Sequence, residues 1–154
     1  MSVIYEDKVR PEWVDYNEHM TDASYAYVFS TAVDSFMEKI GINKHFRETE
    51  KYSIYTLETH LVYLNETLEN NPFSVRMQLL DHSDKLIHIF FTMENETGER
   101  LATSEQMLMG VDMTKGRGAP FPEKIKKSIE TMAEADFQKK KPKEAGRMIG
   151  IKKK

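Results

Sequence analysis

Cysteine is missing from all 154 residues, so disulfide cross-links, thiol nucleophiles and thiolate metal sites are excluded at the outset. Long apolar runs are missing too. No eighteen consecutive apolar residues occur, and no basic, apolar, small-residue leader opens the chain, so the expectation is a cytoplasmic protein without a membrane span. Phosphate-cradling signatures are also lacking: there is no Gly-Lys-Ser/Thr loop and no Gly-x-Gly-x-x-Gly, which argues against nucleotide hydrolysis and dinucleotide redox chemistry. The five histidines, at 19, 45, 60, 82 and 88, form no His-x-His or His-x₃-His pair. Asp81, His82 and Asp84 read as a turn. No metal site is expected, and a net charge of -3 lacks the basic surplus that marks nucleic-acid binding domains.

What is present is enough for one core. A hydrophobic fraction of 40% with 10% aromatics argues against disorder and for a single domain, with residues 1–138 as its body and 139–154 as a basic tail. The chain is organised around a helix expected over 23–40. There Tyr25, Val28, Phe29, Ala32, Val33, Phe36, Met37 and Ile40 follow the i, i+3, i+4, i+7 repeat of one face. Thr21 and Asp22 are suited to cap its start, and Gly41 to end it in a left-handed conformation. At about 1.5 Å per residue such a helix is roughly 27 Å long, the width of a small domain.

The remaining chain alternates as strands. A first strand over 3–10 ends at Pro11. After a charged segment over 42–50, read as a turn of helix and then loop, a long strand is expected over 52–66. Its one face carries Tyr55, Leu57, Leu61 and Tyr63, its other Ile54, Glu58, His60, Val62 and Leu64. Strands over 73–81, 86–94 and 101–111 follow, separated by the turns Asn70-Asn-Pro72, Asp81-His-Ser-Asp84 and Asn95-Glu-Thr-Gly98. Short turns between consecutive strands imply antiparallel pairing. The loop Gly116-Arg-Gly-Ala-Pro-Phe-Pro122 leads into a helix over 123–137, begun by Pro122. The order strand, helix, four strands, helix predicts an α+β fold: a five-stranded antiparallel sheet curled round a long central helix, with a C-terminal helix.

Just upstream of the central helix lies a polar cluster, Asp15, Asn17, Glu18 and His19. A helix start offers unpaired N–H groups and partial positive charge, so it can polarise a carbonyl beside a carboxylate that attacks or activates water. The plainer reading is that Asp15 and Asn17 shape a turn and His19 packs. The spacing Asp15, His19, Met20, Thr21-Asp22, Tyr25 resembles the signature of hot-dog acyl-CoA thioesterases of the 4-hydroxybenzoyl-CoA thioesterase type. The group most alike is that of the betainyl-CoA thioesterases associated with carnitine breakdown. It is similar across Pro11-Glu-Trp-Val-Asp-Tyr-Asn17, Val28-Phe-Ser30, Tyr63-Leu-Asn-Glu66, Asp84-Lys-Leu86 with His88, Ala102-Thr-Ser-Glu105 and Gly118-Ala-Pro-Phe-Pro122. This resemblance spans most of the chain. It implies the hot-dog fold, hydrolysis of an acyl-CoA to a carboxylate and free coenzyme A, Asp15 as nucleophile or base, and no cofactor beyond the coenzyme A of the substrate. Glu18 stands where the family has Gly, and Thr21-Asp22 where it has Asn-Asn. Glu18 does not readily take the positive φ that Gly allows.

Asn17 and His19 are expected to position the loop or the water. Trp13, Tyr16 and Tyr25 bracket the cluster, and aromatic faces with Glu18 nearby suit a quaternary ammonium acyl group; stacking of an aromatic acyl group is the alternative. His60, sharing a strand face with Glu58, can line a cleft or face solvent or a partner subunit. Glu66, which the resemblance places near a partner's active loop, is otherwise a solvated cap. A silent acyl-CoA or lipid-binding domain and an enoyl-CoA hydratase recruiting His60 or His88 are the rival readings. An edge strand and an open cleft predict a homodimer, or a dimer of dimers. The basic tail is read as a solvated terminus, or else as attracted to the phosphates of coenzyme A or docked on a neighbour through Gly146-Arg-Met-Ile-Gly-Ile151.

Overall fold

The computed structural model describes residues 2–153, so Met1 and Lys154, the last of the expected lysine run, lie outside them. The central helix α1 (Asp22–Ile40) buries Tyr25, Val28, Phe29, Ala32, Val33, Phe36, Met37 and Ile40, the same eight residues that the helical repeat selects. Each large side chain among them stabilises the fold by roughly 1.5–3 kcal/mol through removal from water. Gly41 ends α1 with φ of 98°, its N–H bonded to the Glu38 carbonyl, and the Ile42 N–H reaches back to Met37 O at 2.8 Å. This left-handed stop satisfies carbonyls that the helix end would leave bare. At the other end Thr21 is the N-cap residue, but its hydroxyl sits 2.8 Å from Ser24 Oγ rather than capping an amide.

Strands β1 (Ser2–Lys8), β2 (Tyr52–Tyr63), β3 (Pro72–His82), β4 (Leu86–Asn95) and β5 (Arg100–Asp112) form one antiparallel sheet in the order β1-β3-β4-β5-β2. A two-residue β6 (Arg117–Gly118) adds to β5, a sixth strand beyond the five expected. The sheet curls round α1, the hot-dog arrangement. Ile87, Ile89, Phe91 and Met93 of β4 face the helix, where the Phe29 and Phe91 rings lie 6.3 Å apart. The short α2 (Lys44–Glu50) is a full helix capped by Asn43, whose side chain accepts from Phe46 N, where one helical turn and a loop were expected. The C-terminal helix α3 (Glu123–Asp136) buries Ile125, Ile129 and Ala133.

One strand departs from the simple alternation. β2 carries a register shift between Thr56 and Glu58, so Leu57 is the extra residue of a bulge. The bulge switches the side-chain phase. Ile54 therefore shares the helix-facing side with Leu61 and Tyr63, instead of sharing a face with Glu58 and His60 as unbroken alternation predicts. The strand also ends at Tyr63, because the amides of Leu64 and Asn65 both turn to Leu101 O.

The opposite face of the sheet is not left open. Beyond α3 the chain runs back across it. Leu79 N donates to Asp136 Oδ2 at 2.8 Å, Gln78 Nε2 to Lys140 O, and Gly146 N to Glu105 Oε1 at 2.7 Å. Arg100 grips Glu144 with two bonds, of 2.8 and 2.9 Å. Phe90 pairs with Gln78 on one side and Glu105 on the other, and is fully buried beneath this strap. Residues 139–147 of the expected tail lie across this face, held by these bonds, with Glu144 buried and most of the others exposed. Met148, Ile149 and Ile151 beyond them are exposed.

Candidate active site

The chain from Val14 to Met20 folds as a tight loop whose two ends are bridged, and Asp15 N donates to His19 O at 3.0 Å. Asp15 Oδ1 turns back over this loop and accepts from Asn17 N at 2.8 Å and His19 N at 3.3 Å. Its second carboxylate oxygen is bonded to nothing among the described residues. The carboxylate is therefore held in place by main-chain donors with one oxygen free to act. Glu18 takes φ of 64°, the left-handed conformation that it was expected not to adopt readily, at a backbone cost of about 1 kcal/mol. Hydrogen bonds from Met20 N to Thr67 O and from Glu69 N to Glu18 O tie the loop to the segment after β2.

Where α1 begins, Ala23 N is taken by Asp22 Oδ1 and Ser24 N by Thr21 O, whereas the Asp22 amide meets no acceptor among the described residues. It is the bare main-chain donor that a helix start offers to a developing oxyanion. Beside it a cleft of about 320 Å³ is lined by Met20, Asp22, Tyr25 and the run Tyr63 to Glu66. The Tyr25 and Tyr63 rings meet edge to face, centroids 5.4 Å apart. The Tyr63 hydroxyl donates to Asp22 O at 3.3 Å. Burial, with the Glu66 charge behind it, pushes the Tyr25 hydroxyl up to about 12. His19 Nε2 stands 3.5 Å from Glu66 Oε2, which links the Asp15 loop to the cleft.

Among the residues expected at the site, Tyr25 and Glu66 line this cleft and His19 reaches it through Glu66, whereas Asp15 and Asn17 sit in the exposed loop that leads into α1 and do not line the cleft. The others are placed elsewhere. Trp13 is 7% exposed, packed against Phe73 and Tyr27 with the Arg10 guanidinium 5.4 Å from its ring centre. Tyr16 is 94% exposed, and Glu18 points into solvent from the loop tip. His60 lies on the strap side of the sheet, opposite α1, in a pocket with Glu58, His88, Glu105 and Arg147, where His88 Nε2 is 2.6 Å from Glu105 Oε2. Met20, Asp22, Tyr63, Leu64 and Asn65 of the cleft were not among the residues expected at the site: Asp22 was read as a cap and as part of the family signature, and Tyr63 as a strand residue in a stretch resembling the family. The phase of β2 that aims Tyr63 at Tyr25 depends on the Leu57 bulge, which alternation does not reveal. Among the described residues no three His, Asp or Glu side chains are grouped to hold a metal, and no helix is long and apolar enough to cross a membrane.

Residues 9–129 match the thioesterase-like superfamily. The chain belongs to that family. Betainyl-CoA thioesterase of Pseudomonas aeruginosa is 43% identical over 148 residues, covering 96% of this chain and 93% of that protein. The L-carnitine dehydrogenase/betainyl-CoA thioesterase of Rhizobium sp. is 35% identical over 150 residues, 97% of this chain but 30% of its own length. A Staphylococcus aureus protein whose structure was solved in complex with CoA superposes with a TM-score of 0.92 at 31% identity, covering 98% of this chain and 96% of that one. This member of the thioesterase-like superfamily is an acyl-CoA thioesterase with the hot-dog fold.

Proposed function

We propose that the protein hydrolyses betainyl-CoA to betaine and free coenzyme A, with Asp15 as the catalytic carboxylate. The observation that carries this reading is the Asp15 side chain, fixed by the Asn17 and His19 amides with one oxygen free, at the start of α1. The free oxygen attacks the thioester carbonyl, or takes a proton from the water that does. The Asp22 amide steadies the oxyanion and the thiolate of coenzyme A leaves; on the first route water then cleaves the Asp15–acyl anhydride and regenerates Asp15, and on either route water supplies an oxygen of the product carboxylate and the proton of the thiol. Asn17 and His19 hold the carboxylate through their backbone, and His19 touches Glu66. The betainyl group is suggested by the names of the relatives, and coenzyme A as part of the substrate by the neighbour solved with CoA. No separate cofactor is invoked, and a coenzyme A ester as substrate fits a cytoplasmic location.

The working form in this reading is a homodimer. β2 is an edge strand, and its middle is exposed, with Tyr55 and Leu57 turned outward. An edge of this kind is a template for a second copy. The test of the activity is release of free thiol from betainyl-CoA. Asp15→Asn, folded by circular dichroism, is expected to lower kcat by roughly 10²–10⁴-fold with KM little changed. Cleavage at the wild-type rate overturns the assignment. Light scattering at working concentration reads the dimer, and a monomer there removes it.

A further inference from the structure

The cleft beside the Asp15 loop combines two tyrosine rings, two carboxylates and no basic side chain. We propose that this cleft is the subsite for the acyl group and that it selects a quaternary ammonium there, seated on the Tyr25 and Tyr63 rings between Asp22 and Glu66. The inference rests on the thioesterase reading above and names the residues that distinguish a cationic acyl group from a neutral one of the same shape.

A trimethylammonium group has no N–H to donate, so a site cannot hold it by hydrogen bonds. It is recognised by aromatic faces and by negative potential. The cleft offers both. Tyr25 is 5% exposed and forms a dry floor, while Tyr63, half exposed, stands at 75° to it as a wall. Cation–ring attraction grows as water is excluded, so the buried ring is the stronger contact. Asp22 and Glu66, both lining the cleft, add negative field to it. The same field acts on the tyrosines themselves: after burial, Glu66 is the main charge holding Tyr25 protonated, and Asp22 does this for Tyr63. A potential that disfavours a phenolate favours a cation in its place. At about 320 Å³ the cleft has ample room for a headgroup of four heavy atoms.

Among the described residues, the other aromatic and acidic surfaces lack this combination. The Trp13 ring is already covered by the Arg10 guanidinium and by Tyr27 and Phe73. Tyr16 stands free in solvent without a second ring. The pocket under the strap has Glu58 and Glu105, but it also contains Arg147, and its only rings are the imidazoles of His60 and His88, not Phe, Tyr or Trp.

The test uses two thioesters that differ in one atom and one charge, betainyl-CoA and 3,3-dimethylbutanoyl-CoA, in which carbon replaces the quaternary nitrogen. The readout is the ratio of their kcat/KM values on the same enzyme, which cancels any shared loss of folded or active protein. Wild type is expected to prefer the cation by about tenfold or more, the fold-change of one well-formed cation–ring contact. Tyr63→Leu and Glu66→Gln are each expected to reduce that ratio several-fold, whereas Tyr63→Phe, which keeps the ring, retains most of it. A wild-type ratio near one, or a ratio unmoved by Tyr63→Leu and Glu66→Gln, overturns the subsite while leaving the thioesterase reading intact. If neither thioester is cleaved, the hydrolytic reading falls instead. The subsite is then judged by calorimetric titration of the same two thioesters, where equal Kd values overturn it and tighter binding of the cation supports it.

Discussion

Phe90 and Phe91 are neighbours on β4 and both are fully buried, yet they owe their burial to different parts of the chain. Phe91 faces α1 and meets Phe29 inside a core whose pattern is written in a helix and four strands. Phe90 faces the other way and is covered only because the segment after α3 crosses the sheet, pinned by Gln78, Arg100 and Glu105. The inner face is held by interlocking apolar side chains, which cannot shift singly without leaving voids. The outer face is held by a few polar clasps, each of which can open on its own. The Asp15 loop and the cleft beside it adjoin the inner side, where α1 starts, so the proposed site rests on the more rigid of the two.

Replacing the inner phenylalanine sharpens this contrast most. Phe91→Ala is expected to cost about 3–5 kcal/mol in denaturant unfolding, because α1 cannot collapse onto the cavity. Phe90→Ala should cost clearly less than Phe91→Ala in the same assay, since the strap can settle; equal losses would mean that both faces are equally rigid. Next comes the clasp itself. Glu144→Gln leaves Arg100 with a neutral partner and is expected to cost roughly 2 kcal/mol at neutral pH.

This clasp also has a pH signature. The Arg100 guanidinium, by its hydrogen bonds first, holds the Glu144 carboxyl below its ordinary value of 4.5. A carboxyl depressed in the folded state contributes stability that is complete above that ordinary value and lost as pH falls through the folded one. The gap in thermal midpoint between wild type and Glu144→Gln should therefore be constant near neutrality and close below about pH 4.5. A gap that does not narrow at all as pH falls from 4.5 points away from the Arg100 pair. The smallest effect is expected past the last clasp: Met148→Ser, at a side chain 86% exposed, should change stability by less than about 0.5 kcal/mol. A larger loss that depends on protein concentration would show that this segment packs on a second copy.

The inner face was readable in the sequence because each of its elements carries its own period. The eight apolar residues of α1 recur every three or four positions, Gly41 marks the stop, and Val75, Met77 and Leu79 of β3 alternate against Arg76 and Gln78. The loop that carries Asp15 and His19 was readable as a turn for a similar reason, since its bonds join residues two to four positions apart. Residues placed by long-range contacts were not. Trp13 flanks the polar loop in sequence but packs on Phe73, sixty positions away, and Tyr63 meets Tyr25 only through a bulge that leaves no local mark.

Local chemistry alone therefore settled that a long apolar helix follows a carboxylate-bearing turn and that alternating strands wrap it, because helix and strand periods depend on neighbours a few residues apart. The tertiary structure alone decided the phase of β2, the strap over Phe90 and the pairing of Tyr63 with Tyr25. Each of these joins groups distant along the chain, and such contacts are set by the packing of the whole molecule rather than by any short run of residues.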